Sequence, residues 1–346
     1  MVTTMRISIV ALLIVCAVAA TELAAQTIKS DVSKKGTTAA PFLSISQGAR
    51  ATSMGSAFVA VADDQSTLYW NPAGIATLNT GVVFDHTSWF ADIGYNFLGA
   101  SVNLGSLGAI GISLTTSSIS DIPVTTVAAP DGTGDVYSVS SVAFGIGYAL
   151  RLTDNFSIGF TPKFVYERIW KMSSSAIAFD IGAKYNTPFP GIILGMSISN
   201  FGQKMHMTGQ NAIVLYDADP ASSGNNNRTP AELSTDQWSL PVTFRVGLAY
   251  QALRSESNAL TFAVDAMHPS DDYESVNVGA EYTFMDFIAF RGGYKALGLP
   301  DSEESYTLGV GVHKRLLGNI MLSADYCYAA FGRLGNIQKV TVGMTF

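Results

Sequence analysis

The side chains that could do chemistry in this 346-residue chain are few and scattered. Its four histidines, His86, His206, His268 and His313, stand far apart, without the close His/Glu pairing that holds a catalytic zinc on one helix face. Gly145-Ile146-Gly147 and Gly309-Val310-Gly311 look like pieces of a dinucleotide loop. Both lack the third glycine and lie within strand-like alternation, so they read as small packing residues. The sequence has no Gly-Lys-Ser/Thr phosphate loop. A Ser-His-Asp site built across strands would leave no local signature. The two cysteines, Cys16 and Cys327, fit neither a metal spacing nor an internal disulfide of a processed chain. Asp217, Asp219, Asp271 and Asp272 are a weak pattern for a cation. The expectation is a protein that is not an enzyme, with no catalytic, cofactor-binding or metal-binding set. A net charge of −7 without a Lys/Arg cluster also argues against a nucleic-acid partner.

What remains is a row of single charges: Asp85, Lys163, Glu167, Asp180, Lys184, Arg245, Asp265, Glu281, Arg291, Lys295, Asp325 and Lys339. The elements that carry them have period two. In 140–151, Val142, Phe144, Ile146, Tyr148 and Leu150 share one face, while Ser141, Ala143, Gly145, Gly147, Ala149 and Arg151 share the other. Ile177, Phe179, Ile181 and Tyr185 oppose Asp180, Gly182 and Lys184, and 305–315 repeats the pattern. One face is large and apolar, the other small, polar or singly charged. Only 14% of residues are charged, against roughly 25% in soluble domains. A soluble sandwich would put many charges on its outer faces. Strands that alternate between lipid and an enclosed lumen need few.

The alternation predicts about fourteen strands: 81–90, 93–104, 107–118, 138–151, 156–170, 176–187, 192–203, 240–252, 259–268, 275–284, 288–296, 305–316, 320–330 and 337–346. Most have the length of about 9–11 residues that a tilted strand needs to cross a bilayer. The connections at 119–137, 204–239, 269–274 and 297–304 are long and fall on one end; those on the other end are short. In hydrocarbon every backbone polar group must pair internally, so the sheet must close. The fold class is all-β: a fourteen-stranded antiparallel transmembrane barrel. On this reading the single charges form a polar path, hold a plug, or make a solvated and paired interior. Trp89, Phe90, Trp170, Tyr185, Trp238, Phe284, Phe287, Tyr328 and Phe331 fall near strand ends, where aromatic girdles would lie. Pro162 interrupts a strand and cannot donate to the ladder, which marks it as a bulge or kink for a lateral gate, or as a residue near the rim. The 204–239 and 119–137 loops are the expected surface for a protein partner.

The N-terminus reads as a signal peptide over residues 1–25. Arg6 supplies its positive charge, Ile7 to Ala20 its apolar run, and Ala24-Ala25 its cleavage site before Gln26. Val15 before Cys16 argues against lipid attachment. Residues 26–80 are then a hatch or plug ahead of a barrel over 81–346. In this segment the Ala-rich stretch 56–62 suggests a short helix, Asp64 or Ser66 could cap another, and Asn71-Pro72 marks a turn. Gly74 suggests a positive φ.

Gly48-Ala49-Arg50, Met54-Gly55, Ala57-Phe58, Ala62-Asp63-Asp64 and Trp70-Asn71-Pro72-Ala73-Gly74 resemble the N-terminal motif of the PorV/PorQ family of outer-membrane barrels, which are related to the FadL transporters. The rest of the chain resembles that family in architecture alone. The resemblance implies an N-terminal hatch and two kinds of function. PorV-like members act in type IX secretion, receiving secreted cargo and passing it to attachment machinery. FadL-like relatives pass hydrophobic ligands through the barrel. The terminal alternation ending on Phe346 resembles the signal read by the barrel-assembly machinery, and implies outer-membrane lipid as the surroundings.

Overall fold

A computed structural model describes residues 33–222, 224, 228–255, 257–316 and 320–346. The expected signal peptide and its cleavage site lie outside the described residues. Fourteen strands form the wall. They are β1 (Gly81–Ser88), β2 (Gly94–Asn103), β3 (Ala109–Ser118), β4 (Val139–Thr153), β5 (Phe156–Ile169), β6 (Met172–Asn186) and β7 (Ile192–Gly202). Then follow β8 (Thr243–Arg254), β9 (Asn258–Pro269), β10 (Ser275–Phe284), β11 (Ile288–Leu297), β12 (Tyr306–Arg315), β13 (Met321–Ala330) and β14 (Asn336–Thr345). Each pairs antiparallel with its neighbours in sequence, and β1 pairs with β14 from Gly81↔Thr345 to Ser88↔Gln338, which closes the barrel. Among the described residues no helix is long and apolar enough to cross a membrane, so the crossing is made by strands.

The alternation explains why this sheet closes around a lumen. Phe84, Leu98, Ile112, Phe144, Phe160, Ile177, Phe290 and Val342 all point outward and stay exposed. An apolar belt of this extent on a soluble monomer would aggregate; facing acyl chains it costs nothing. The inward positions of the same strands are small or charged and are buried.

What buries them is the N-terminal segment, folded into the lumen. It contains α1 (Ala49–Ser53), α2 (Thr67–Trp70) and a 3-10 turn over Pro72–Thr77. The stretch 56–62 is not the helix expected from its alanines. Wall side chains take its backbone groups: Asp265 Oδ2 accepts from the N–H of Phe58 and Val59, and Lys184 Nζ donates to the carbonyls of Val61 and Ala62. Ser56 at φ 65° and Ala62 at φ 33° also leave the right-handed region at both ends of the stretch. Propensity is a weak prior where tertiary contacts compete for the same bonds.

The aromatic residues do not all form girdles. Tyr185, Phe284 and Phe287 are exposed near the short-turn end, as an interfacial belt requires. Trp89 and Phe331 instead pack edge to face, 5.3 Å between ring centres, and Phe90 joins them. Phe331 is buried and Trp89 lines an inner chamber, so both face the lumen.

Candidate functional site

Six of the inward charges fix the plug to the wall: Glu167, Lys184, Asp265, Glu281, Lys295 and Lys339. Arg50 is the centre. Its Nη1 lies 2.6 Å from Asp63 and 3.2 Å from Asp64, and its Nη2 lies 2.7 Å from Glu281 on β10. Glu281 is shared with Arg291 on β11, which also reaches Asp325 on β13 at 2.6 Å. A chain of alternating charge therefore runs from the plug through three strands. Burial raises the Asp64 carboxyl above its usual range, and Arg50 opposes that shift. Elsewhere Lys339 donates to the Ser46 carbonyl, and Glu167 accepts from the Ala40 N–H at 3.1 Å. Thr341 accepts from the Ala49 N–H, and Thr307 from that of Gly55. Two of the sequence-based alternatives are thus both seen: charges that hold the plug, and charges paired within the wall, as in Lys163–Asp180 and Arg291–Asp325.

The motif residues divide by role. Gly48 precedes α1 at φ 84°, and Gly55 turns at φ 65°. A Cβ on Gly55 would sit 2.4 Å from the Val278 carbonyl, because the Met54–Gly55 backbone lies directly on Gly279 and Gly293 of the wall. Met54 and Trp70 are buried, and Trp70 Nε1 donates to the Gln47 carbonyl at 2.9 Å. Asn71 Oδ1 caps the Pro72–Thr77 turn at Ala73 N, and its Nδ2 bridges the carbonyls of Val59 in the plug and Ala183 in the wall. Pro72 takes the first turn position, where a missing N–H costs nothing. Gly74 corrects its expectation: its φ is not positive. It is glycine for lack of space, since a Cβ would meet Thr67 Oγ1 at 2.3 Å and the Ala62 carbonyl at 2.5 Å.

Pro162 lies on the lipid-facing side of β5. The β4–β5 ladder runs to Gly145↔Lys163 and resumes at Tyr148↔Phe160 in the same register, while β5–β6 pairing continues through Pro162↔Phe179. The proline therefore skips bonds without making a bulge. The nearby irregularity is between β6 and β7, where the register shifts between Phe179 and Ile181 and Asn200 adopts φ 63°. Lys163, Asp180 and Asn200 form a polar cluster behind it, with Lys163 2.8 Å from Asp180. Phe346 is half exposed, and its N–H donates to the Thr80 carbonyl, adding one more bond at the β1–β14 seam.

The plug divides the lumen. At the short-turn end lies a polar recess of about 320 Å³, lined by Arg50, Asp63, Asp64, His313 and Asp325. At the long-loop end lies a chamber of about 550 Å³. The two share no lining residue. The N-terminal strap over residues 33–41 runs across the chamber mouth: Lys35 pairs with Asp272 at 2.8 Å, Thr38 donates to Asp271, and Ala39 to the Ser239 carbonyl. The 204–239 loop projects a hairpin, Ile213–Tyr216 against Thr229–Glu232, whose Ile213 and Leu215 are 53% and 65% exposed. Asp217 and Asp219 belong to this loop; among the described residues no group of three or more His, Cys, Asp or Glu is placed to hold a metal ion.

Sequence reasoning missed the chamber. Trp89 and Phe331 read as girdle residues, and Arg245, Lys295 and Lys339 as isolated lumen charges. Inward and outward positions at a strand end differ by a single step, and nothing local records a partner 200 residues away.

This architecture is shared with solved barrels. A FadL homologue from Pseudomonas aeruginosa superimposes with a TM-score of 0.51 at 11% identity, over 87% of this chain and 98% of that one. The toluene transporter TbuX of Ralstonia pickettii gives 0.54 at 11%, over 86% and 96%. The toluene transporter TodX of Pseudomonas putida gives 0.50 at 12%, over 86% and 96%. The chain thus has the fold of these barrels, fourteen antiparallel strands closed around an N-terminal plug. Residues 28–187, which take in the plug and the first six wall strands, match the family model of the type IX secretion system protein PorV. No curated protein matches it in sequence.

Proposed function

We propose that this barrel acts in type IX protein secretion by binding secreted cargo, or components of the attachment machinery, at its outer face. One observation carries the reading: the lumen is closed by a plug that wall charges clamp in place, while a chamber and an apolar hairpin open on the long-loop side. In outer-membrane barrels the long loops are extracellular and the short turns periplasmic. A route for a small apolar compound needs a continuous, mostly apolar pocket. Here the two described recesses share no lining residue, and charged side chains stand among the mostly apolar surface of the outer one. Capture of secreted proteins by the tagged full-length chain, extracted in mild detergent, tests this. Recovery of lipid without cargo or secretion-system components contradicts it.

A second reading is FadL-like passage of fatty acids or other hydrophobic compounds. The observation in its favour is the skipped ladder at Pro162, beside the register shift at Phe179/Ile181. On either reading the segment 26–80 acts as a hatch, residues 1–25 as the export signal, and Phe346 as the signal to the barrel-assembly machinery.

A further inference from the structure

The outer rim of β5 and β6 carries cations that no acid answers. On its lipid-facing side β5 presents Phe156, Ile158, Phe160, Pro162, Phe164 and Tyr166 in succession, while Ser157, Gly159, Thr161 and Val165 are buried behind them. At about 3.3 Å per residue and a tilt of about 40°, the climb from Phe156 to Tyr166 is roughly 25 Å, the height of the apolar band of such a barrel. The next residue on that face is Arg168, which is exposed. It stands where hydrocarbon gives way to headgroups. The long-loop end is extracellular, so these are the headgroups of the outer leaflet. Aromatic rings mark the same level. Trp170 turns the chain between β5 and β6 at φ 52°, with Lys171 Nζ 5.0 Å over its ring and the Tyr137 ring 6.3 Å away.

Arg168, Lys171 and Lys204 share this rim. Arg168 Nε donates to the Trp170 carbonyl at 3.0 Å. Lys171 is exposed beside it. Lys204 is exposed on a segment that runs antiparallel along β6, from the Gln203 N–H on the Ile177 carbonyl to Thr208 opposite Ser173. None of the three makes an ion pair among the described residues. Glu167, next to Arg168 in sequence, points the other way and accepts from the Ala40 N–H and from Ser141. Elsewhere Lys35, Lys163, Arg291, Lys295 and Arg333 each pair with a carboxylate. The outward residues of β6 at this level are Ser173 and Ser175, opposite Arg168 and Tyr166 in register. They are small, so a shallow groove runs between β5 and the 203–209 segment, with hydroxyl groups on its floor and cations at its sides. An anion on a soluble molecule would have no use for the apolar wall directly beneath. Cations lined up at the edge of an acyl-chain belt match an anion carried by a lipid.

We propose that this groove binds a phosphorylated glycolipid of the outer leaflet, with its phosphates on Arg168, Lys171 and Lys204 and its acyl chains along Phe164, Phe160 and Ile177. The guanidinium fork suits phosphate oxygens, and the lysines act as point charges beside it. The inference is independent of the cargo reading and needs only a barrel set in the outer membrane.

The experiment uses the full-length barrel in dodecyl maltoside, with bisphosphorylated lipid A as the probe and bound lipid counted by native mass spectrometry. The barrel binds lipid A, and the same lipid stripped of its phosphates binds about tenfold more weakly, the loss expected when charged hydrogen bonds are removed. R168Q/K171Q/K204Q binds the two lipids alike, and R168K keeps part of the preference. The substituted side chains are exposed, so heat-modifiable migration stays unchanged. Added salt lowers the preference of the unaltered barrel, a readout that needs no variant. R151Q/R254Q, which removes exposed cations at the short-turn end, behaves as the unaltered barrel does. Equal binding of both lipids to the unaltered barrel overturns the proposal. So does an undiminished preference in R168Q/K171Q/K204Q, or its loss in R151Q/R254Q, which places the lipid at the other end. Tighter binding of a glutamate-rich peptide than of lipid A, with the same dependence on Arg168, assigns the groove to an acidic protein segment and also overturns it.

Discussion

Arg50 is the residue on which the plug depends most. It answers three carboxylates at once, from Asp63, Asp64 and Glu281, at the edge of the short-turn recess. Arg50→Ala removes the cation from Asp63 and Asp64 and leaves Glu281 to Arg291 alone, which costs about 1–3 kcal/mol, less than for a fully buried pair because Asp63 is 45% exposed. The expected outcome is a lower urea midpoint for the change in Trp fluorescence, since Trp70 sits in the plug core; an unchanged midpoint would show that the network is not what holds the segment. At the other end of the chain, deletion of Phe346 removes both an aromatic terminus and the bond to Thr80. If Phe346 is an assembly signal, outer-membrane levels of the heat-modifiable folded form fall several-fold in cells. Refolding of the same variant from urea into detergent stays close to that of the full chain, because one seam bond contributes only about 0.5–1.5 kcal/mol.

Among the elements, β5 and the outer hairpin separate the two functional readings. Pro162→Val restores a donor within an unshifted register, so the strand has no geometric reason to reject it. Under the transport reading this closes a weak seam, and uptake of a labelled fatty acid by intact cells drops. Under the secretion reading cargo capture stays as it was. The hairpin gives the converse test. Replacing residues 211–234 with a short Gly/Ser linker removes Ile213, Leu215 and Tyr216, which are exposed and apolar without facing lipid. The barrel should keep its heat-modifiable migration, because the two hairpin strands pair with each other and not with the wall among the described residues, while cargo capture declines tenfold or more. Retained capture would move the binding surface elsewhere.

For the whole molecule, the divided lumen makes a prediction about permeability. Reconstituted in a planar bilayer, the intact barrel should show almost no ion conductance, because the plug lies between two recesses that share no lining residue among those described. Releasing the plug with the pair Arg50→Ala and Lys184→Ala should produce channel openings. Steady conductance from the unaltered protein would show that a path exists through the plug.

The amino-acid sequence alone determined the wall. Period-two alternation is a local property, because successive side chains of a strand must take opposite sides, so fourteen strands and their inward charges were legible from Asp85 to Lys339. The N-terminal motif was legible too, as a pattern, though the reason for Gly74 was misread as a backbone angle when it is crowding by Thr67 and Ala62. Tertiary structure alone decided what those charges do. Asp265 could not be known to hold the backbone of Phe58, nor Arg245 to lie over Tyr69 and Trp70, until the segment preceding the barrel was placed inside it. Charge pairing depends on distance in space, and here the partners lie up to about 290 residues apart along the chain, as Ser46 and Lys339 do.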